Sequence, residues 1–190
     1  RNVTGVQTCA LPIYFQFKKL VSQWMNADSI KINATELTKE EKYRLLHTQW
    51  AGLIDPTVDS IANLSNASAL LHSIFQWWWV GFYRVNNKKL ILGPFQGPPA
   101  CTSIELGKGV CGSAWATATT LLVPNVELFP GHIACSAESK SEIVVPIHTK
   151  SGEIWGVLDV DSAHLNHFED RKSTRLNSSH IPLSRMPSSA

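Results

Sequence analysis

The sequence predicts a single α+β domain, an antiparallel sheet flanked by helices. Three observations predict it. Helical periodicity fills the stretch from Thr38 to Ile74, aromatic and β-branched strand-like runs follow, and those runs come in pairs joined by short turns. Helices first and hairpins afterwards is the order of an α+β domain, not of alternating βα units.

The elements follow in order. Thr38 precedes Glu41 by three residues, the spacing of a capping box, ahead of Tyr43, Leu45, Leu46 and Trp50. A second helix is expected to start near Asp55-Pro56, with Pro56 at its first position, where a missing N–H costs nothing. It carries Val58, Ile61, Ala62, Leu64, Leu70, Leu71 and Ile74 at roughly helical spacing. The stretch "NLSNASALL" inside it mixes Asn and Ser with apolar residues, so its polar groups either line a buried interface or break the helix. From Trp77 the pattern turns to strands: "WWWVGFYRV", a turn at Asn86-Asn87, then "KKLILGPF". "QGPPA" breaks the chain, "CTSIEL" reads as a short strand, "GKG" as a loop, and "VCGSAWATAT" as a short helix starting near Cys111. "TLLVPNV" is a strand ending at Pro124. "SEIVVPIHT" and "EIWGVLDVD", joined by "KSG", form a second hairpin.

The chain ends distort the bulk numbers. Residues 3–13 ("VTGVQTCALPI") and the stretch 170–190, with "DRKSTRLNSSH" and "SRMPSSA", read as in-frame translations of a short-read sequencing adapter and are set aside from fold reasoning. Residues 1–24 are then scar and read-through, with Met25 a candidate start, and 25–169 is the domain. The full chain is formally +2, but residues 14–169 hold 12 Lys and Arg against 14 Asp and Glu, a net −2. The basic character therefore belongs to the ends and does not point to nucleic acid. No apolar run is long enough to span a bilayer, and no secretory signal pattern is seen, so no membrane partner is expected and a cytoplasmic location is the default.

Of the four cysteines, Cys9 falls in the adapter-like stretch, leaving Cys101, Cys111 and Cys135. An odd count without a secretory signal argues against a disulfide framework. The spacings lack a C-x-x-C clip, which disfavours zinc, although His132 beside Cys135 keeps a Cys3His site open. Cys111 at a helix start is expected to have its pKa lowered by the helix dipole, and "GKG" before it offers free backbone N–H groups. In "GVLDVD", alternation sets Val157, Asp159 and Asp161 on one face and Leu158 and Val160 on the other. In "SEIVVP", Glu142, Val144 and Pro146 share a face. If these strands pair, three carboxylates converge on a patch suited to a cationic group, and a carboxyl held protonated there could donate a proton. Acids capping strand ends in water are the plainer reading of the same spacing. Trp79 and Tyr83 share a face of their strand, as core residues or as an aromatic wall around a small ligand.

In this order, "GPFQGPPAC", "GKGVCGSA", "VPNVELFPGHIAC", "SKSEIVVPI" and "GVLDVDS" resemble the free methionine-(R)-sulfoxide reductases, small enzymes built on a GAF domain. The resemblance runs from about Thr38 to Phe168. It implies a GAF-like antiparallel sheet flanked by helices, with the small molecule enclosed on one face. It implies Cys135 as nucleophile, Cys101 as resolving cysteine and Cys111 as a third cysteine of variable role. It assigns Glu142, Asp159 and Asp161 to holding substrate and assisting oxygen loss, and Trp79 and Tyr83 to the aromatic pocket. The implied substrate is free methionine sulfoxide. The implied route passes through a cysteine sulfenic acid and an intramolecular disulfide, with no bound cofactor or metal. Thioredoxin, NADPH-linked, is the implied external reductant. A homodimer stays open. A small-ligand-binding GAF sensor module without turnover is the alternative. His132 is read first as a turn residue and second as a partner of the Cys135 thiolate. Trp115 stands where relatives tend to carry a small residue, and is expected to narrow the pocket or shift its helix. The adapter-like stretch begins where relatives continue into a C-terminal helix, so an uncovered apolar face costing several kcal/mol is expected.

Overall fold

The capping box at Thr38 forms. In the computed structural model, which describes residues 36–131 and 138–168, the Glu41 N–H donates to Thr38 Oγ1 at 3.4 Å and the Thr38 N–H to Glu41 Oε2 at 2.8 Å. These bonds satisfy donors that a helix start leaves without partners. They open α1, Lys39–Leu53, which buries Leu46 and Trp50.

The second helix, α2, is Ser60–Phe75 and not a helix from Pro56. Two acidic residues explain the delay. The Asp55 carboxylate accepts from the Thr57 N–H at 2.8 Å, folding Pro56 into a turn, and Asp59 then caps the helix by accepting from the Ile61 N–H at 2.8 Å. Val58, expected on the apolar face, is 42% exposed in that turn. "NLSNASALL" does not break the helix. Asn63 is buried and both accepts from the Asp55 N–H and donates to its carbonyl, while the Ser65 and Ser68 hydroxyls bond the carbonyls of Ile61 and Leu64 one turn back.

Strands β1 (Trp79–Asn86) and β2 (Lys89–Gln96) form the first hairpin. Its turn lies one residue later than expected. Asn86 pairs with Lys89, and Asn87 and Lys88 take φ of 48° and 63°. A two-residue turn whose twist matches the strands needs positive φ at both positions, which Asn tolerates better than most residues other than Gly. Then come β3 (Ser103–Glu105), α3 (Gly109–Thr117), β4 (Leu121–Val123) and a single 3-10 turn, Val126–Leu128. The second hairpin is β5 (Ser141–His148) with β6 (Ile154–Ser162). The six strands pair antiparallel in the order β3-β2-β1-β6-β5-β4. The α+β antiparallel architecture is the one expected.

The sheet has two apolar faces. On one, α1 and α2 cover Val80, Phe82, Ile143, Val145, Leu158 and Val160. Each large side chain so buried contributes about 1.5–3 kcal/mol. On the other, α3 and the short strands pack on Trp79, Tyr83, Val144 and Val157. The second face holds the site. The expected loss of a C-terminal helix concerns 169–190, outside the described residues. Among those described, no helix is long and apolar enough to cross a membrane.

Candidate active site

Alternation with period two decides which side chains meet. β1 turns Trp79, Gly81 and Tyr83 away from α1 and α2, β6 turns Val157, Asp159 and Asp161 the same way, and β5 does so with Glu142, Val144 and Pro146. Because β6 pairs with both neighbours, the residues form rows across the sheet. Trp79, Asp161 and Glu142 make one row; Gly81, Asp159 and Val144 make the next. The strand pairing on which the convergence of the three carboxylates depended is therefore present.

Of these, Trp79, Tyr83, Glu142, Asp159 and Asp161 line a cleft of ≈ 610 Å³, its open mouth included. Trp79 and Tyr83 are 4% and 2% exposed, and their polar ends are spent on the backbone. Trp79 Nε1–H donates to the Pro98 carbonyl at 3.1 Å and the Tyr83 hydroxyl to the Cys101 carbonyl at 3.0 Å. The two aromatics thus tie down the "GPPAC" segment, and Pro98, Pro99 and Ala100 form a wall of the cleft. Gly81 makes this possible: a Cβ there would overlap the Trp79 ring and the Phe95 Cβ.

Glu142 and Asp159 are buried beside each other, and neither forms an ion pair among the described residues. Burial first, and then the neighbouring carboxylates, hold both pKa values well above the ordinary carboxylate range. Asp159 Oδ1 has no hydrogen-bond partner. Asp161 is raised to about 6 by burial, against the opposing effect of a hydrogen bond from the Ser139 hydroxyl. A protonated acid and an ionised one can therefore coexist near neutral pH. Burial and the charge of Asp159 raise the Tyr83 phenol, which stays a donor.

The cysteines behave differently from the expectation at Cys111. It is the third residue of α3, but it is 4% exposed and its thiol lies 3.9 Å from Glu142 Oε1. Burial, Asp159 and Glu142 push its pKa well up. Desolvation and two adjacent acids outweigh the helix dipole, whose influence is confined to the first turn and is small by comparison. Nor is "GKG" a set of free donors: the Gly107 N–H bonds the Gly112 carbonyl at 2.9 Å and the Lys108 N–H the Glu105 carbonyl at 3.1 Å. Cys101 is partly buried and disulfide-bonded, and Cys111 is free. Cys135 and His132 lie outside the described residues. Cys111, Glu142 and Asp159 present donor atoms within 4.8 Å of one another, close enough to ligate a cation.

Trp115 is half-buried against the second core and does not line the cleft. Several lining residues escaped sequence reasoning. Trp78 stands just before β1, where alternation gives no guidance; Pro98 and Pro99 read only as chain breakers; Ser139 carried no signal.

Comparison with known proteins agrees with this fold. The GAF domain profile matches residues 41–176. The chain is 55% identical over 134 residues to GAF domain-containing protein A of Dictyostelium discoideum, a match covering 70% of this chain and 84% of the relative. It is 43% identical over 152 residues to the free methionine-R-sulfoxide reductase of Saccharomyces cerevisiae, covering 76% and 84%. Among solved structures, the free methionine-R-sulfoxide reductase of Neisseria meningitidis in complex with its substrate superposes with a TM-score of 0.67 at 42% identity, covering 77% of this chain and 89% of that one. With the profile, the identities and the fold in agreement, the chain belongs to the GAF-domain family of free methionine-R-sulfoxide reductases, a family of oxidoreductases.

Proposed function

We propose that this protein reduces free L-methionine-(R)-S-oxide to L-methionine through a cysteine sulfenic acid and an intramolecular disulfide, and that thioredoxin, NADPH-linked, recycles it. The observation that carries the proposal is the meeting of three carboxyl groups in an aromatic-walled cleft, one of whose wall residues, Tyr83, bonds the Cys101 carbonyl. A zwitterionic amino acid with an apolar thioether chain needs an anion for its ammonium, an acid for its oxygen and an apolar wall for its body.

In the proposed cycle, Cys135 as thiolate attacks the sulfoxide sulfur. A carboxyl of Glu142 or Asp159, kept protonated by burial, gives its proton to the sulfoxide oxygen. The sulfur–oxygen bond breaks, the oxygen passes to the cysteine sulfur as a sulfenic acid, and methionine leaves with sulfur reduced by two electrons. The Cys101 thiol then attacks the sulfenic sulfur; water departs and a disulfide forms. An external dithiol exchanges with that disulfide and restores both thiols. Asp161 is the anion for the substrate ammonium. Cys111, with its thiol held protonated, suits neither the attacking nor the first resolving role. Trp79 and Tyr83 form the wall and hold the Cys101 segment.

The test is dithiol-dependent loss of free methionine sulfoxide, resolved by epimer. The R form should be consumed with one dithiol oxidised per methionine released. Binding without dithiol consumption would replace the enzyme by a GAF sensor module. Cys135→Ser should abolish turnover, whereas Cys101→Ser should release about one methionine per enzyme and then stall. Full multiple-turnover activity in Cys135→Ser would refute the assignment of the nucleophile.

A further inference from the structure

We propose that Ser139 is a positioning residue: its hydroxyl, donated to Asp161 Oδ1, orients that carboxylate and marks it, among three neighbouring acids, as the anchor for the cationic end of the substrate. The inference rests on the function proposed above and adds a residue to it. Ser139 is 7% exposed and lines the cleft. Its place is set by backbone. The next residue, Lys140, donates its N–H to the Ser162 carbonyl at 2.8 Å and accepts from the Val126 N–H at 3.0 Å, and the Ser141 hydroxyl bonds the His164 carbonyl at 2.7 Å. A hydroxyl carried on so braced a segment meets the carboxylate at a fixed angle.

The three acids are otherwise poorly distinguished, since they lie on adjacent strands of one face. Asp161 receives a hydroxyl donor. Among the described residues, Glu142 and Asp159 share a hydrogen bond with each other and lie near the Cys111 thiol, 3.9 Å from Glu142; neither receives a hydroxyl, and Asp159 Oδ1 is left without a partner. A hydroxyl donor favours the anion, so it separates Asp161 from the two acids suited to stay protonated. Around Asp161 stand Trp79 and Tyr83 from β1, Asp159 from β6, Glu142 from β5, and Lys108 and Cys111 from the start of α3. Lys108 is the cation that lines this cleft among the described residues, and it is exposed. The carboxylate's midpoint near 6 agrees with an ionised Asp161 at neutral pH.

The experiment compares Ser139→Ala, Ser139→Thr and wild type in two readouts. In the unliganded full chain, a carbon-13 titration of the Asp161 carboxyl should give a higher midpoint in Ser139→Ala and a near-wild-type one in Ser139→Thr. In steady-state assays with free methionine-R-sulfoxide, Ser139→Ala should raise KM about tenfold at neutral pH, lower kcat little, and move the acidic limb of kcat/KM upward. Ser139→Thr should restore both. Should the alanine variant fold poorly, Ser139→Cys, a weaker donor of similar size, carries the same comparison. An unshifted Asp161 midpoint in a wild-type-active protein overturns the Ser139 inference alone. Absent wild-type turnover overturns the function beneath it.

Discussion

Asp161→Asn should make the unliganded protein more stable at alkaline pH while destroying substrate binding. The carboxyl of Asp161 titrates at about 6 against an ordinary value of 3.8. That difference corresponds to about 3 kcal/mol that folding must spend to bury the charge, once pH exceeds both values. Asp161 is only partly covered, and water at the cleft mouth reduces the figure to about 1–2 kcal/mol. The sign follows from the raised pKa: stability is fully present below pH 3.8 and is lost as pH rises through about 6. Asparagine cannot ionise, and its carbonyl can still accept from the Ser139 hydroxyl. Urea unfolding at a series of pH values between 4 and 8 measures the effect. Wild type should lose stability across that range. Asp161→Asn should lose less, the remainder coming from Glu142 and Asp159, whose pKa values are also raised. Equal pH dependence in the two proteins, or a less stable Asp161→Asn at pH 8, would show that Asp161 is not an electrostatic burden in the empty site.

Other residues give sharper local tests. Gly81→Ala should displace Trp79, since the new methyl overlaps its ring and Phe95; a cost of about 1–3 kcal/mol, a changed tryptophan fluorescence and a raised KM are expected. Tyr83→Phe removes the donor to the Cys101 carbonyl; about 1 kcal/mol of stability should be lost, with disulfide closure slowed more than the first release of methionine, as rapid-quench thiol trapping would report. Thr38→Ala breaks the capping box of α1 far from the cleft; thermal unfolding should show about 1 kcal/mol of destabilisation, and the specific activity of the folded fraction should hold.

Much of the site was legible because strands encode sidedness. Once "GVLDVD" and "SEIVVP" are strands, period two alone puts Asp159, Asp161 and Glu142 on faces that must coincide if the strands pair, and they do. Helix α1 was legible for a similar reason, since its capping box is a local hydrogen-bond pattern. The start of α2 was not. Pro56 is permitted at a first helical position, but Asp55 and Asp59 each offered a competing side-chain acceptor, and the second one won. The hairpin turn shifted by one residue because cross-strand register, not the Asn pair, chose which positions take positive φ.

Cys111 shows where local reasoning stops. Position at a helix start argued for a thiolate, and the three-dimensional neighbours reversed it. Burial and the charges of Asp159 and Glu142 come from strands at least thirty residues away in sequence, and no local pattern reports them. Ser139 likewise had no signal, because its meaning depends on Asp161 across the sheet. The sequence by itself determined the element types, the faces of the strands and the family, all of which rest on short-range periodicity and motif order. Only the tertiary structure decided which acids are buried side by side, which one receives the Ser139 hydroxyl, and what the aromatic side chains hold, because desolvation and charge coupling depend on distances that folding alone brings about.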